Sequence, residues 1–512
     1  MTRARVGRGA RRSLASTAAT ASALAILATQ AGGPATASAV PRPLIDGPIP
    51  PATNLATQPL RADGPCRTTA GVLDPSSPPA SATAAELRDA WIHGRGEGQV
   101  VAVIDTGVNP GPRLPRVRGA GDVMPGRDGT EDCDAHGTLV AGILAATEDD
   151  SGHSGIAPGV EIVAIRQSSS ILRPDQRQRT TRPGPARGSG QPDGERGRSP
   201  GEEPSTSPDT APAQAPELAP GQAPVGSPAG VGTLSTLASA IRLAVDAGAT
   251  VINISEVACV PSGTLLSDET LGGAIRYAAV DHDVVIVAAA GNVGDTCAEQ
   301  NLDLPDPAVP GDDGWDDIRT IATPAWYDDH VLTVGGVDTA GRPSDFSLRG
   351  PWVDVAAPAE NLRSVGADGD GVSDLVIAAD GSRTPITGTS FAAPMVAGTA
   401  ALVRQRHPGF TARQVIERIE ETAIPAAGGH DHAIGHGVVD PVAAVTGVRR
   451  EGRPAPATAT LAAPTPESGP PGAGSGAAVA AGALAIGAAV VVVVVLFRPR
   501  GASHRPDHRP NH

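Results

Sequence analysis

The sequence predicts an α/β domain built on a mainly parallel central sheet. Two observations carry that expectation. Apolar runs alternate with helical patterns along the chain, and the runs are almost continuously apolar, as in strands covered on both faces. A third observation bears on size: with 40% hydrophobic residues in 512, the chain can bury a sizeable core. The strand candidates are 100–104, 161–165, 250–254, 284–289, 331–334 and 353–356. Helical spacing marks 84–92, 138–146, 234–247, 271–280, 391–407 and 411–422.

The chain carries 63 Gly and 50 Pro, too many for one compact body of this length, so linkers and low-complexity stretches surround a smaller core. Residues 40–83 are rich in Pro, Thr and Ala without a period, and are expected to wrap over the core as an extension. The globular domain is expected over 84–446. Inside it, 167–230 collapses into Pro, Gly, Ser, Arg, Glu and Gln, with few large apolar residues beyond Ile171, Leu172 and Leu218. Such a segment cannot bury enough surface to offset its ordering entropy, so a disordered insertion is expected there. Residues 447–475 read as a Pro/Ala-rich stalk.

The two ends read as export and anchoring signals. Arg3, Arg5, Arg8, Arg11 and Arg12 precede an uncharged apolar stretch, 14–29, and Ala37-Ser38-Ala39 forms a small-x-small cleavage site. Residues 1–39 are therefore expected to be a signal peptide. Residues 476–497 are uncharged and end in a run of Val, long enough to span a bilayer as one helix. Arg498, Arg500, Arg505 and Arg509 follow, so the tail 498–512 is expected in the cytoplasm and the body outside the cell membrane. In that compartment Cys66, Cys133, Cys259 and Cys297 would form disulfides, for which three connectivities exist. No CxxC pair is present, which argues against zinc.

The charge excludes one class of partner. Lys+Arg 40 against Asp+Glu 55 gives a net charge of −15, and Phe, Trp and Tyr are scarce, so nucleic acid is not an expected ligand. The acidic run of Asp303, Asp306, Asp312, Asp313, Asp316 and Asp317 lacks EF-hand spacing and reads as a solvated loop. His430, His432 and His436 lie in a Gly-rich turn and are given no metal role.

Four loci at strand or helix ends carry chemistry. The run 100–104 ends in Asp105-Thr106-Gly107. Asp134-Ala135-His136-Gly137-Thr138 enters a helix of small residues. The run 284–290 delivers Asn292 just past Gly291. Gly388-Thr389-Ser390-Phe391-Ala392-Ala393-Pro394 opens another helix, with Ser390 in the positive end of its dipole and Pro394 placed in the first turn. Each locus alone has an ordinary structural explanation. Asp, His, Asn and Ser in this order, inside these three signatures, resemble the subtilisin-like serine proteases.

That resemblance implies a three-layer subtilisin-like domain and a peptidase without a cofactor or metal. Asp105 would orient His136, His136 would take the proton of the Ser390 hydroxyl, and Asn292 with the Ser390 N–H would hold the oxyanion. It also implies that peptide binds as an added strand beside Ser255-Glu256-Val257, where the usual Ser-Leu-Gly is replaced. Cys259 and Cys297 both follow strand ends that flank this groove. A Cys259–Cys297 bridge is therefore expected, which leaves Cys66 for Cys133. Signal peptide, protease core, two Cys pairs, stalk and terminal helix together resemble the mycosins, membrane-anchored subtilases of type VII secretion systems. This implies work on exported protein substrates within that machinery, either as endopeptidase or as a structural subunit.

Overall fold

The computed structural model describes residues 40–52, 60–71, 84–124, 128–175, 231–264, 266, 268–294, 297–301, 313–425 and 429–449. In chain order the strands are β1 (Leu60–Ala62), β2 (Thr68–Ala70), β3 (Val100–Asp105), β4 (Val117–Asp122), β5 (Glu161–Arg166), β6 (Leu172–Pro174), β7 (Val251–Ile254), β8 (Ala258–Pro261), β9 (Val285–Ala289), β10 (Thr320–Thr323), β11 (Val331–Val337), β12 (Val355–Pro358), β13 (Leu375–Ile377) and β14 (Arg383–Pro385). The helices are α1 (Ala84–Trp91), α2 (His136–Ala145), α3 (Leu234–Asp246), α4 (Glu269–Ile275), α5 (Thr389–Arg406), α6 (Ala412–Thr422) and α7 (Pro441–Thr446).

Seven strands form one sheet in the order β12-β11-β9-β7-β3-β5-β4, and every pair in it is parallel. Alternation explains why its strands are apolar throughout. In β3, Val101 and Val103 pack into the cluster that holds α2, α5 and α6, whereas Ala102 and Ile104 pack into the cluster that holds α3 and α4. In β9, Val285, Val287 and Ala289 face the first cluster and Ile286 and Ala288 the second. The sheet thus lies between two helical layers, and each strand residue has a buried destination.

Register aligns the strand ends that matter. Ile104 of β3 sits opposite Ile254 of β7, which sits opposite Ala288 of β9. Asp105, Ser255 and the 290–292 turn therefore leave the same carboxyl edge of the sheet, where ligands collect in open α/β folds. α5 is buried from Phe391 to Val403 and has no polar stripe, as expected of a helix covered on all sides.

The extension 40–83 is described in two pieces. Arg42 bridges Asp313 at 2.8 Å and Asp328 at 3.0 Å, with its guanidinium 4.5 Å above the Trp315 ring. The following residues run against α4, where Gly272 and Gly273 leave room for the chain. A Cβ on Gly272 would stand 2.2 Å from Leu44 O, and one on Gly273 would stand 2.3 Å from Pro48 O. The second piece is paired chain: β1 joins β6, and β2 joins β13, all antiparallel. These three-residue strands lack a pattern long enough to be read in advance.

Two expectations are corrected. Residues 167–175 were assigned to the disordered insertion, yet Gln167, Ser168 and Ser169 are buried. Two of these side chains find partners that composition does not reveal: Gln167 Nε2 donates to Thr236 Oγ1 at 3.0 Å, and Ser169 Oγ donates to Asp134 Oδ2 at 2.5 Å. Ser169 and Val231 then close on each other through N–H···O bonds of 3.0 and 2.9 Å. The helix expected over 271–280 ends as α-helix at Ile275 and continues as a π-helical turn, Arg276–Asp281. The rest of the insertion, 176–230, lies outside the described residues, as do the signal segment 1–39, nearly all of the stalk and the helix expected over 476–497. No helix among the described residues is long and apolar enough to cross a membrane.

One buried group gives the domain an acid limit. The His153 imidazole is buried and receives no hydrogen bond at Nε2 from the described residues. Burial first, and then the Arg113 guanidinium, push it down to about 4. Its unfolded value is near 6.5, so the folded state binds fewer protons between these values and loses stability as pH falls from 6.5 toward 4. Chemical denaturation of wild type and His153→Gln is expected to differ by about 2–4 kcal/mol in the stability lost between pH 7 and pH 4, with the variant losing less.

Candidate active site

Asp105 is the last residue of β3 and is fully buried. His136 is the first residue of α2, and its Nδ1–H donates to Asp105 Oδ1 at 2.7 Å. The Thr106 N–H donates to the same oxygen at 2.7 Å. A second buried carboxylate pins the start of α2 to the end of β3. Asp132 accepts from Thr106 Oγ1 at 2.8 Å, from Thr138 N–H at 2.8 Å and from Thr138 Oγ1 at 2.7 Å. The residue before His136, Ala135, has a left-handed φ of 63°. Such strain in a non-glycine residue persists only where both sides are held. On one side Asp134 takes the Ser169 hydroxyl and the Ser170 N–H and hydroxyl. On the other, His136 is held by Asp105.

Ser390 is the second residue of α5, because the helix begins at Thr389 rather than at the expected 391. Pro394 is accordingly the sixth helical residue, not a first-turn residue. Its missing N–H would have served the Ser390 carbonyl. The Ser255 hydroxyl fills that vacancy, donating to Ser390 O at 2.7 Å, and is itself held by Asn253 Nδ2 at 2.9 Å. Ser255 lines the cleft as expected of the peptide-binding segment, and its side chain also secures the turn that carries Ser390.

Asn292 is oriented from the same helix. Its Oδ1 accepts from Thr389 N–H at 3.0 Å and from Thr389 Oγ1 at 3.1 Å. Both acceptor contacts lie on the oxygen, so Nδ2 is left as the donor toward the cleft. Gly388 permits this approach: its φ is 144°, and a Cβ there would stand 3.3 Å from Asn292 Nδ2. His136, Ser255, Glu256, Val257, Asn292 and Ser390 all line one cleft of about 200 Å³. The structure thus brings the expected catalytic, oxyanion and peptide-segment residues to one place.

The cleft wall has a component from outside the expected site. Arg67, in the extension, donates from its N–H to Cys133 O at 2.9 Å and from Nη2 to Ser170 Oγ at 3.0 Å. Cys66 is bonded to Cys133, three residues before His136, and Cys259 to Cys297. Residues 168–170, expected to be disordered, line the same wall.

Three carboxylates set the electrostatics. Burial by itself would lower the His136 imidazole, but Asp105 foremost, then Glu256 and Asp132, hold it well above its ordinary value. Burial raises the Glu256 carboxyl, and Asp105 and Asp134 reinforce the rise against the pull of His136. Burial also pushes Asp132 up to about 6 against its Thr138 hydrogen bonds.

Sequence reasoning missed the supports: Thr106, Asp132, Thr138, Thr389 and Arg67, and the carboxyl that the Glu256 side chain brings to the cleft. For Thr106 and Thr389 a signal existed, since each adjoins a motif residue. Asp132 and Arg67 carry none, because their roles depend on where distant chain segments meet.

A buried Asp–His pair opening on a cleft with a serine at a helix start and an oriented amide defines a serine protease of the subtilisin class. The chain belongs to the subtilase family, whose model matches residues 96–437. Within that family it is similar to the mycosins. Mycosin-4 of Mycobacterium tuberculosis is 44% identical over 368 residues, covering 72% of this chain and 69% of the relative. The solved structure of the MycP3 protease from the type VII (ESX-3) secretion system is 39% identical with a TM-score of 0.64, covering 79% of this chain and 99% of that one. A chain of an intact ESX-5 inner membrane complex is 34% identical with a TM-score of 0.65, covering 90% of this chain and 99% of that one.

Proposed function

We propose that this subtilase is a membrane-anchored endopeptidase of a type VII secretion system. It cleaves exported proteins through Asp105, His136 and Ser390. The observation that carries the reading is the bond from His136 to buried Asp105 beside a cleft that Ser390 and Asn292 also line. Asp105 fixes the tautomer and stabilises the imidazolium; His136 takes the Ser390 proton and returns it to the leaving amine. Asn292 Nδ2 and the Ser390 N–H receive the oxyanion of the tetrahedral intermediate, which collapses to an acyl-enzyme that water hydrolyses. Ser255, Glu256 and Val257 offer the edge along which an extended peptide adds as a strand.

The likeness to a chain of the ESX-5 inner membrane complex favours a structural role in such an assembly as well. The signal peptide 1–39, the domain 84–446, the stalk 447–475 and the helix 476–497 belong to this proposal and place the cleft outside the cytoplasm. A fluorophosphonate probe applied to the full-length chain is expected to label Ser390, as mapped by mass spectrometry, and to fail on His136→Ala. Labelling at another residue, or undiminished labelling of that variant, would reject the triad.

A further inference from the structure

The geometry points to Glu256 as a specificity-determining residue: the cleft selects a peptide with a Lys or Arg side chain, whose cation pairs with the Glu256 carboxylate. This rests on the triad reading above and deepens it.

Glu256 stands in the segment that follows β7, between Ser255, which holds the Ser390 turn, and buried Val257. Its side chain is 13% exposed, and Oε1 lies 3.7 Å from His136 Nδ1. Bonding atoms of Asp105, His136 and Glu256 all lie within 4.8 Å of one another. The triad needs one carboxylate at the imidazole, and Asp105 already supplies the hydrogen bond that orients it. Glu256 places a second carboxyl group at the same ring.

The groups that face Glu256 come from every element around it: Asp105 at the end of β3, His136 on α2, Asp134 ahead of α2, and Ser168 after β5. Arg67, from the extension, lines the same cleft but is engaged with Ser170. Asp134 is taken up by Ser169 and Ser170. Three carboxyl groups, those of Asp105, Asp134 and Glu256, therefore share the one His136 imidazole.

A buried acidic cluster with a single basic partner favours an incoming positive charge. A substrate ammonium or guanidinium would pair with Glu256 and let its carboxyl ionise. A neutral side chain of equal length would fill the same space without forming that pair.

The test uses the full-length chain and peptide pairs that differ by one residue: Lys against norleucine, and Arg against citrulline, scanned over the four positions before the scissile bond. At pH 7 the cationic member is expected to show kcat/KM at least about tenfold higher at one position. Glu256→Gln is expected to bring that ratio close to one. In wild type the cationic preference should grow from pH 6 to pH 9, because burial pushes the Glu256 carboxyl up to about 8 and only the carboxylate pairs with a cation. In Glu256→Gln the ratio should not change with pH. Wild type that labels at Ser390 but shows no cationic preference, including wild type that cleaves none of the set, overturns the inference. So does a preference that survives in Glu256→Gln. A wild-type preference that does not change with pH also overturns it, and that measurement decides the matter even if the variant does not fold. Failure of Ser390 to label would instead reject the triad itself.

Discussion

Ser390→Ala is expected to lower kcat/KM by about 10⁴–10⁶ while the protein remains folded, on the scale set by subtilisin itself. The substitution removes one oxygen from a half-buried residue at the cleft. It leaves intact the Ser255 bond to the Ser390 carbonyl and the Thr389 bonds to Asn292, because those use backbone and neighbouring groups. Hydrolysis of a chromogenic peptide, with the unfolding midpoint as control, measures both halves. In cells the same variant separates the two roles proposed above. Processing of exported proteins should stop, secretion should largely persist, and deletion of the whole chain should stop secretion. Equal secretion defects in the variant and the deletion, with the variant present at normal levels, would remove the structural role.

Asn292→Ala is expected to lower kcat by about 10²–10³ with little change in KM, again on the scale known for the subtilisin donor. The split follows from when the donor acts. In the role proposed for it, Asn292 Nδ2 meets charge that develops only in the transition state, so its loss would raise the barrier without loosening the bound peptide. Steady-state kinetics at saturating peptide decide the matter. A rise in KM with unchanged kcat would mean that Asn292 binds ground-state peptide and that the oxyanion is held elsewhere.

The layers of the fold were legible because burial on both faces leaves a mark that needs no tertiary knowledge. Runs such as Val100–Asp105 and Val285–Ala289 cannot alternate when each face meets a helix. β1, β2 and β6 were illegible for the opposite reason. They are three residues long, partly exposed, and defined only by pairing across more than a hundred residues of chain. The site divides in the same way. Asp105, His136, Asn292 and Ser390 are set by short signatures. The polar supports at Asp132 and Arg67, and the placing of the Glu256 carboxyl against His136, arise where separate segments converge. Residues 167–175 were misjudged because composition cannot see that Asp134 and Thr236 wait to satisfy their polar groups.

The clasp between Ser169 and Val231 has a consequence for how this lineage can change. Two backbone bonds tie residue 169 to residue 231, so the clasp and not the length of chain between them sets how these two segments meet. The entropic cost of closing such a span grows only logarithmically, about 0.6 kcal/mol for each doubling of length. Descendants can therefore lengthen, shorten or rewrite that stretch at almost no thermodynamic penalty. The doorposts stand beside the cleft, since Ser168, Ser169 and Ser170 line it. The clasp is a port at which new sequence can be tried next to a finished catalytic apparatus without dismantling it.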